Sequence, residues 1–389
     1  MKSFVLRILA VTHLISVGIA DEVINRVPQS KPWKCHTIDA TSQGADGVRL
    51  ADINGDGRQD IVTGWEEGGV VRWYRNPGSS KALEPWPRED VGQVGSPEDA
   101  VFADVDGDGR FEILSSCEGK TLNLFLHQKE AKGWTTTPVP GIAVLERAWM
   151  MSVSLDVDGK GGRDFLLGSK GEGADVGWLE GGGDWRYTSI RPAGWIMSLE
   201  LADLDRDGDQ DAVISDRRGK GAGVFWLEKK NGVEWIEHRV DASEEEYMFL
   251  DVGDLNGDDQ KDIVCPVKPS EIRLYTQTGG HEWAKRRLIV PHEHTGRMKA
   301  VRMGDLDQDG DVDLVYSCEG ADGPLRGVVW LEKQKDQPWI MHDVSGEPGL
   351  KYDHMKLLDL DGDGDLDVLT CEERDQLGVI WYENPHASK

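Results

Sequence analysis

Asp359-Leu-Asp-Gly-Asp-Gly-Asp-Leu-Asp367 places oxygen-bearing side chains at alternate positions around a glycine bend. A hard cation such as Ca²⁺ takes about six to eight oxygen ligands in a flexible cage. A loop of this length supplies them from the side chains at its first, third, fifth and ninth positions and from the backbone carbonyl at the seventh. Here those are Asp359, Asp361, Asp363 and Asp367, with the carbonyl of Asp365. One such loop reads equally well as an acidic turn, because Asp and Gly form turns in their own right. Repetition decides between the two. The same phrase begins at Asp52, Asp104, Asp156, Asp203, Asp254, Asp305 and Asp359, at intervals of 52, 52, 47, 51, 51 and 54 residues. A period of this size marks a solenoid, a propeller or an array.

Six copies keep the ligand pattern and are expected to bind calcium. Their side-chain sets are Asp52, Asn54, Asp56 and Asp60; Asp104, Asp106, Asp108 and Glu112; Asp203, Asp205, Asp207 and Asp211; Asp254, Asn256, Asp258 and Asp262; Asp305, Asp307, Asp309 and Asp313; and the Asp359 loop already quoted. The third copy has Lys160 where a carboxylate belongs, so it is expected to hold no ion, its ammonium partly replacing one. The fifth has Asp258-Asp259 in place of Asp-Gly, which keeps the ligands and strains the bend. An EF-hand is excluded. That loop needs Glu at position 12 and helices on both sides, whereas position 12 here is Thr63, Ser115, Leu167, Ile214, Cys265, Tyr316 or Thr370. The flanks, such as Asp60-Ile-Val-Thr and Asp313-Leu-Val-Tyr, read as short strands.

Each period contains four strand signals. One runs into the loop, one leaves it, a third ends in an aromatic and a fourth begins near a tryptophan. The third-strand aromatics are Trp73, Phe125, Trp178, Trp226, Tyr275, Trp330 and Trp381, and the fourth-strand set is Trp33, Trp86, Trp134, Trp185, Trp235, Trp283 and Trp339. Both sets read as packing between sheets. Seven repeats of four strands predict an all-β, seven-bladed β-propeller with four-stranded blades. The segment around Trp33–Ile38 matches a fourth strand but precedes the first repeat, and the last repeat stops after its third strand. The N-terminal strand should therefore complete the last blade and close the ring, removing open sheet edges. Residues 21–389 read as one domain, with the tail from 386 outside the fold.

Residues 1–20 read as a signal peptide, with Lys2 ahead of an apolar run and Gly18-Ile19-Ala20 before the cleavage point. No other stretch is long and apolar enough to span a membrane. The expected location is secreted, periplasmic or at the cell surface. The net charge of −27 argues against nucleic acid as a partner. Six Ca²⁺ ions would bring −27 to −15, so much of the charge belongs to the loops. Of five cysteines, Cys117, Cys265, Cys318 and Cys371 recur at similar places in different repeats. They read as buried small apolar residues, not as a disulfide framework.

DLDGDGDLD with its flanking strands resembles the FG-GAP or VCBS repeat, the unit of the integrin α-subunit propeller and of many secreted bacterial propellers. The resemblance covers residues 32–385. It implies a calcium-bearing propeller with its loops on one face and a ligand approaching the other. One fold hosts many activities, so function must be argued from the site.

On that opposite face, the residues six before each loop start are Asp46, Glu98, Met150, Met197, Met248, Lys299 and Asp353. Just upstream lie Trp149, Trp195, Tyr247 and Tyr352, with Arg147, Arg297, Lys351 and His354 close by. A pocket with apolar walls and a few placed polar groups is the usual lining for a small ligand. Trp149, Trp195, Met197, Tyr247, Glu98 and Lys299 are the expected binding set. The ligand is expected to be carbohydrate, with an extracellular protein as the alternative, and the ring to act as a monomer. The same mouth could instead house a carbohydrate-active lyase or dehydratase. That chemistry needs a base, a proton donor for the leaving oxygen and a cation for the enolate, and His354, Tyr352, Asp353, Lys351 and Arg297 are its candidates. A metal-dependent version would use His354 with Asp353, Glu98 or Glu118 around Zn²⁺. His292-Glu-His294 reads as a polar loop.

Overall fold

The computed structural model describes residues 21–24, 30–119, 121–335 and 337–385. The expected signal peptide and the tail from 386 lie outside these residues. Seven antiparallel sheets follow one another around an axis, spanning residues 45–93, 97–138, 148–192, 196–242, 251–289, 297–343 and 356–383. These are blades 1 to 7. In each, the first strand lies innermost and the fourth outermost. The second strands, such as Asp60–Trp65 and Asp262–Val267, are buried along their whole length, because a neighbouring blade covers each of their faces. Continuous apolar, β-branched runs are what such a position demands.

Blade 7 has only three strands of its own. Lys34–Asp39 supplies the fourth, pairing antiparallel with Gly378–Glu383 from Lys34↔Glu383 to Asp39↔Val379. The ring closes as the sequence anticipates. One strand was not anticipated: Glu22–Val23 pairs in parallel with the outer strand of blade 5, giving that sheet five strands. Two residues carry too little pattern to read as a strand.

The tryptophans pack as expected. Trp86, Trp134, Trp185, Trp283 and Trp339 each join the core between their own blade and the preceding one. At the seam Trp33 meets Trp330 of blade 6 edge to face, with ring centroids 6.1 Å apart. All five cysteines are free thiols, four of them buried, in line with their reading as small core residues.

The loops are shaped by backbone geometry before any ligand is considered. Positions 4 and 6 both need positive φ. Glycine meets this at Gly55 (73°) and Gly57 (83°), and Asp259 accepts it at 65° in the fifth loop. That is the strain expected of the Asp-Asp substitution.

Replacing Trp33 by alanine should cost about 3–5 kcal/mol, as for other buried aromatic truncations. Lys34→Ala removes a pair whose lysine side chain is 64% exposed and should cost less than about 1 kcal/mol. Calorimetric melts of the two variants check the seam; equal losses would mean that closure does not rest on this packing.

Candidate functional site

Where a first strand begins, strand alternation sorts the candidate residues. Residues eight before each loop start lie on the rim, and here they include Trp195, Glu246, Arg297 and Lys351. Those seven before, including Trp149, Tyr247 and Tyr352, are fully buried. Those six before point toward the axis. A bulge at this level helps to aim them. Trp149 pairs with Ser169 and Met151 with Gly168, leaving Met150 outside the ladder. Glu98, Met197 and Lys299 are left out in the same way. Bulges re-aim side chains in this manner.

The floor of the mouth is a narrow cavity of about 20 Å³, lined by Asp46, Glu98, Met150, Met151, Asp353 and His354 among others. That is room for roughly one water. Met197 and Met248 are buried beside it in the axial core, so the methionines plug the channel. Lys299 pairs with Asp353, both buried. The neighbouring Lys299 and Lys351 charges outweigh burial and hold Asp353 below the usual carboxylate range. Asp46 and Glu98 behave oppositely. Their enclosure by protein raises both well above that range, and the negative charge of Asp353 on Asp46, and of Asp46 on Glu98, adds to it. Two acids whose charge burial disfavours thus lie beside one whose charge its lysines favour. Clustered shifts of this kind are characteristic of functional sites.

His354 lies deeper. Burial and the charges of Arg302 and Lys356 push it well below its ordinary value, so the ring is neutral. Its Nε2 contacts the Arg302 guanidinium and lies 3.6 Å from Glu200. Arg49 grips Asp99 with two bonds of 2.9 Å. Burial disfavours the Glu200 charge, yet Lys356 and Arg302 hold it well below the usual carboxylate range. Burial brings Lys356 down to about 8. Sequence reasoning missed this layer. Its signal was available: Arg49, Glu200, Asp251, Arg302 and Lys356 all stand three residues before a loop start.

Above the floor, acids and bases alternate around the rim. Lys170 reaches Glu118 and lies 3.8 Å from Glu98. Arg217 meets Glu246 at 2.7 Å, Lys268 meets Glu319 at 2.5 Å, and Arg297 meets Glu319 at 3.0 Å. Lys351 pairs with Glu373. Between blades 6 and 7 this rim opens into a pocket of about 450 Å³ lined by Arg297, Glu319, Asp322, Leu350, Lys351 and Arg374. That volume lies within the range of small-ligand sites. Across the mouth, the partly exposed Trp195 ring has Arg217, Lys170 and Arg218 at 4.5, 4.7 and 5.0 Å from its centroid.

The expected constellation is thus divided. Lys351 and Arg297 share the rim pocket, and Asp353 and His354 lie at the axis. The Tyr352 hydroxyl instead donates to the Pro348 carbonyl at 2.6 Å and lies 2.8 Å from the Tyr382 hydroxyl, inside a blade interface. Trp149 packs edge to face on Tyr187, and the Tyr247 hydroxyl is taken by Asp241, Ser243 and Arg273. Glu98 lines the floor cavity and Trp195 stays on the rim, while Lys299 is buried against Asp353. His292 and His294 lie in a turn.

On the opposite face, the first and ninth loop positions hold the nine residues in shape. Asp52 accepts the amides of Gly55 and Gly57, each at 2.8 Å. In most blades the ninth-position acid accepts one amide from its own loop and one from the end of the third strand. Asp211 takes Leu204 at 3.1 Å and Lys229 at 2.8 Å. One buried oxygen each of Asp104 and Asp203 has no hydrogen-bond donor. A buried acceptor without a donor is costly, and a hard cation is the partner an all-oxygen set fits. In the third loop Lys160 lies 2.5 Å from Asp158 and 3.0 Å from Glu180, while Asp156, Asp158 and Asp164 still cluster closely enough to hold a metal ion.

Residues 52–115, 156–214 and 254–316 match the FG-GAP-like repeat. The chain thus carries FG-GAP-like repeats within a seven-bladed β-propeller. The curated aldos-2-ulose dehydratase of Phanerodontia chrysosporium is 24% identical over 339 residues, covering 80% of this chain and 32% of that protein. The FG-GAP propeller thus spans about a third of the length of that relative. Two solved structures of BBS1N in complex with ARL6DN, soaked with lead and with mercury, are similar to it in fold. They have TM-scores of 0.54 and 0.55 and identities of 12% and 11%, covering 89% and 90% of this chain and 97% and 96% of theirs. Among the described residues of the propeller, no helix is long and apolar enough to cross a membrane.

An acid whose folded pKa is raised above its unfolded value costs stability once pH passes the unfolded value, and nothing well below it. Asp46→Asn should therefore melt above the parent at about pH 8, with the gap closing as pH falls toward about 4. Melting curves across this range check it. Equal melts at the alkaline end would show that Asp46 is ionised and paired in the fold.

Proposed function

We propose that this chain is an exported, calcium-held propeller that binds carbohydrate at the mouth opposite its acidic loops. The observation that carries the reading is the mouth itself. A pocket of about 450 Å³ with three bases and two acids adjoins a floor on which an acid that resists ionising lies beside one whose charge is favoured. Sugar hydroxyls donate and accept hydrogen bonds, so they need acceptors and donors at fixed places. Asp353 and Glu319 supply acceptors; Lys351, Arg297 and the protonated acids supply donors. The bases also suit a sugar carrying a carboxylate. Export is supported by the leader-like residues 1–20, and calcium by the repeated oxygen sets and their buried, donorless oxygens.

A second reading, dehydration of a bound sugar, is favoured by the similarity to a protein named for acting on aldos-2-uloses. In that reading Glu98 or Asp46, held protonated, gives its proton to the departing hydroxyl. Asp353 takes a carbon-bound proton and Lys299 stabilises the negative charge that develops.

Calcium is tested by chelation. Removing it should lower the melting temperature, because a ligand bound only to the folded state stabilises by about RT ln(1 + [L]/Kd), and the loaded chain should hold about six ions. An unchanged melt would overturn the calcium reading. The mouth is tested by a panel of neutral and acidic oligosaccharides with the calcium-loaded protein. Lys351→Ala and Arg297→Ala should weaken capture of the retained sugar at least about tenfold, a loss of ~1.4 kcal/mol, with little change in melting. Products lighter by one water, seen by mass spectrometry, establish the second reading; a panel with no sugar bound or altered overturns both.

A further inference from the structure

Far from the mouth, three blades repeat one arrangement on their outer strands. A third-strand tryptophan is followed two residues later by a glutamate, and a fourth-strand histidine lies directly opposite the tryptophan. The sets are Trp226, Glu228 and His238 in blade 4; Trp330, Glu332 and His342 in blade 6; and Trp381, Glu383 and His36 in blade 7. The imidazole packs on the indole with centroids 4.8, 4.3 and 4.4 Å apart. Its Nε2 meets the carboxylate at 2.5, 2.6 and 2.6 Å. Cross-strand pairing explains the recurrence, since opposed side chains on one face of a sheet meet.

Blade 4 differs from the other two. The turn between the third and fourth strands of blade 5 brings His281 to the same place. Its ring centroid lies 3.9 Å from that of His238 and 4.9 Å from that of Trp226. Ligand atoms of Glu228, His238 and His281 all lie within 4.8 Å of one another. Glu228 is buried, at 3% exposure, so its carboxylate is held in a fixed place. Two imidazoles and one carboxylate form a donor set unlike the all-oxygen loops. Imidazole suits zinc and its neighbours in the first transition row, while calcium prefers oxygen.

We propose that Glu228, His238 and His281 bind a divalent transition ion, with Zn²⁺ the best match, and that this ion clips blade 5 to blade 4 at the outer edge of the ring. The site is independent of the mouth and borders the fourth acidic loop, where Asp205 lies beside Lys230. Binding replaces the hydrogen bond between His238 and Glu228 with two metal bonds. Lys230, which pairs with Glu228 and is one third exposed, is displaced to solvent. The remaining coordination positions face the surface and take water.

The test uses the full chain saturated with Ca²⁺, so that the oxygen loops are filled. Zn²⁺ is titrated by calorimetry and Co²⁺ by visible absorption. One tight site per chain is expected in the parent. It should be lost in His281→Ala, and retained in His342→Ala, which removes the imidazole of a set with no second histidine. Zn²⁺ should also raise the melting temperature of the parent and leave His281→Ala unmoved. His281 is an exposed turn residue, so its variant keeps the fold. Absence of Zn²⁺ binding, or binding that persists unchanged in His281→Ala, overturns the proposal.

Discussion

Each blade is built around one buried carboxylate. In most blades the ninth-position acid holds the start of its loop and the end of the third strand, by accepting a backbone amide from each. These amides have left the sheet ladder and would otherwise be buried without acceptors, which a fold cannot sustain in number. Burial makes the acid reluctant to ionise: Asp313 and Asp367 are pushed up to about 7. An adjacent cation would reverse that reluctance. The loop's folding and the raised pKa of its acid are thus two aspects of the same electrostatic problem.

The axis meets a different constraint. Seven first strands converge, and a propeller must fill the space between them or leave a water channel. Here a bulge turns a Met, an acid or a lysine inward, and the next layers down add Arg49, Asp99, Glu200, Arg302 and His354. Buried ion pairs add little net stability, but removing one partner leaves an uncompensated charge. They close the channel and fix the depth of the mouth, which ends in a floor and not a pore.

The fold was legible because its information is periodic. Loop spacing, strand alternation and the displaced Trp33 strand all survive without tertiary knowledge. The mouth was legible in part, for a physical reason. Trp149, Tyr247 and Tyr352 are one residue away from the axial set, and on a strand one residue reverses the direction of a side chain. Lys351 and Arg297, two residues from that set, return to the rim of the mouth. The axial ion network needed a second count in the same frame, to the third residue before each loop. The Trp–Glu–His sets need knowledge of which third- and fourth-strand residues are opposed, and hairpin register is not written in the spacing.

Ring closure has a mechanical side. Lys34 and Glu383 are paired at the same end of the seam, so opposite forces applied to the chain just outside them would unzip that strand pair one bond at a time, the weakest loading a sheet can bear. The preceding residues change the path of the load. Ser30 and Trp33 are tied to the end of blade 6, and Glu22 and Ile24 to the outer strand of blade 5 and to Trp339. Tension on the N-terminal side reaches these anchors before it reaches the seam, and along the parallel Glu22–Val23 pairing it acts in shear. The short fifth strand works as a strain relief, of the kind fitted where a cable enters its housing.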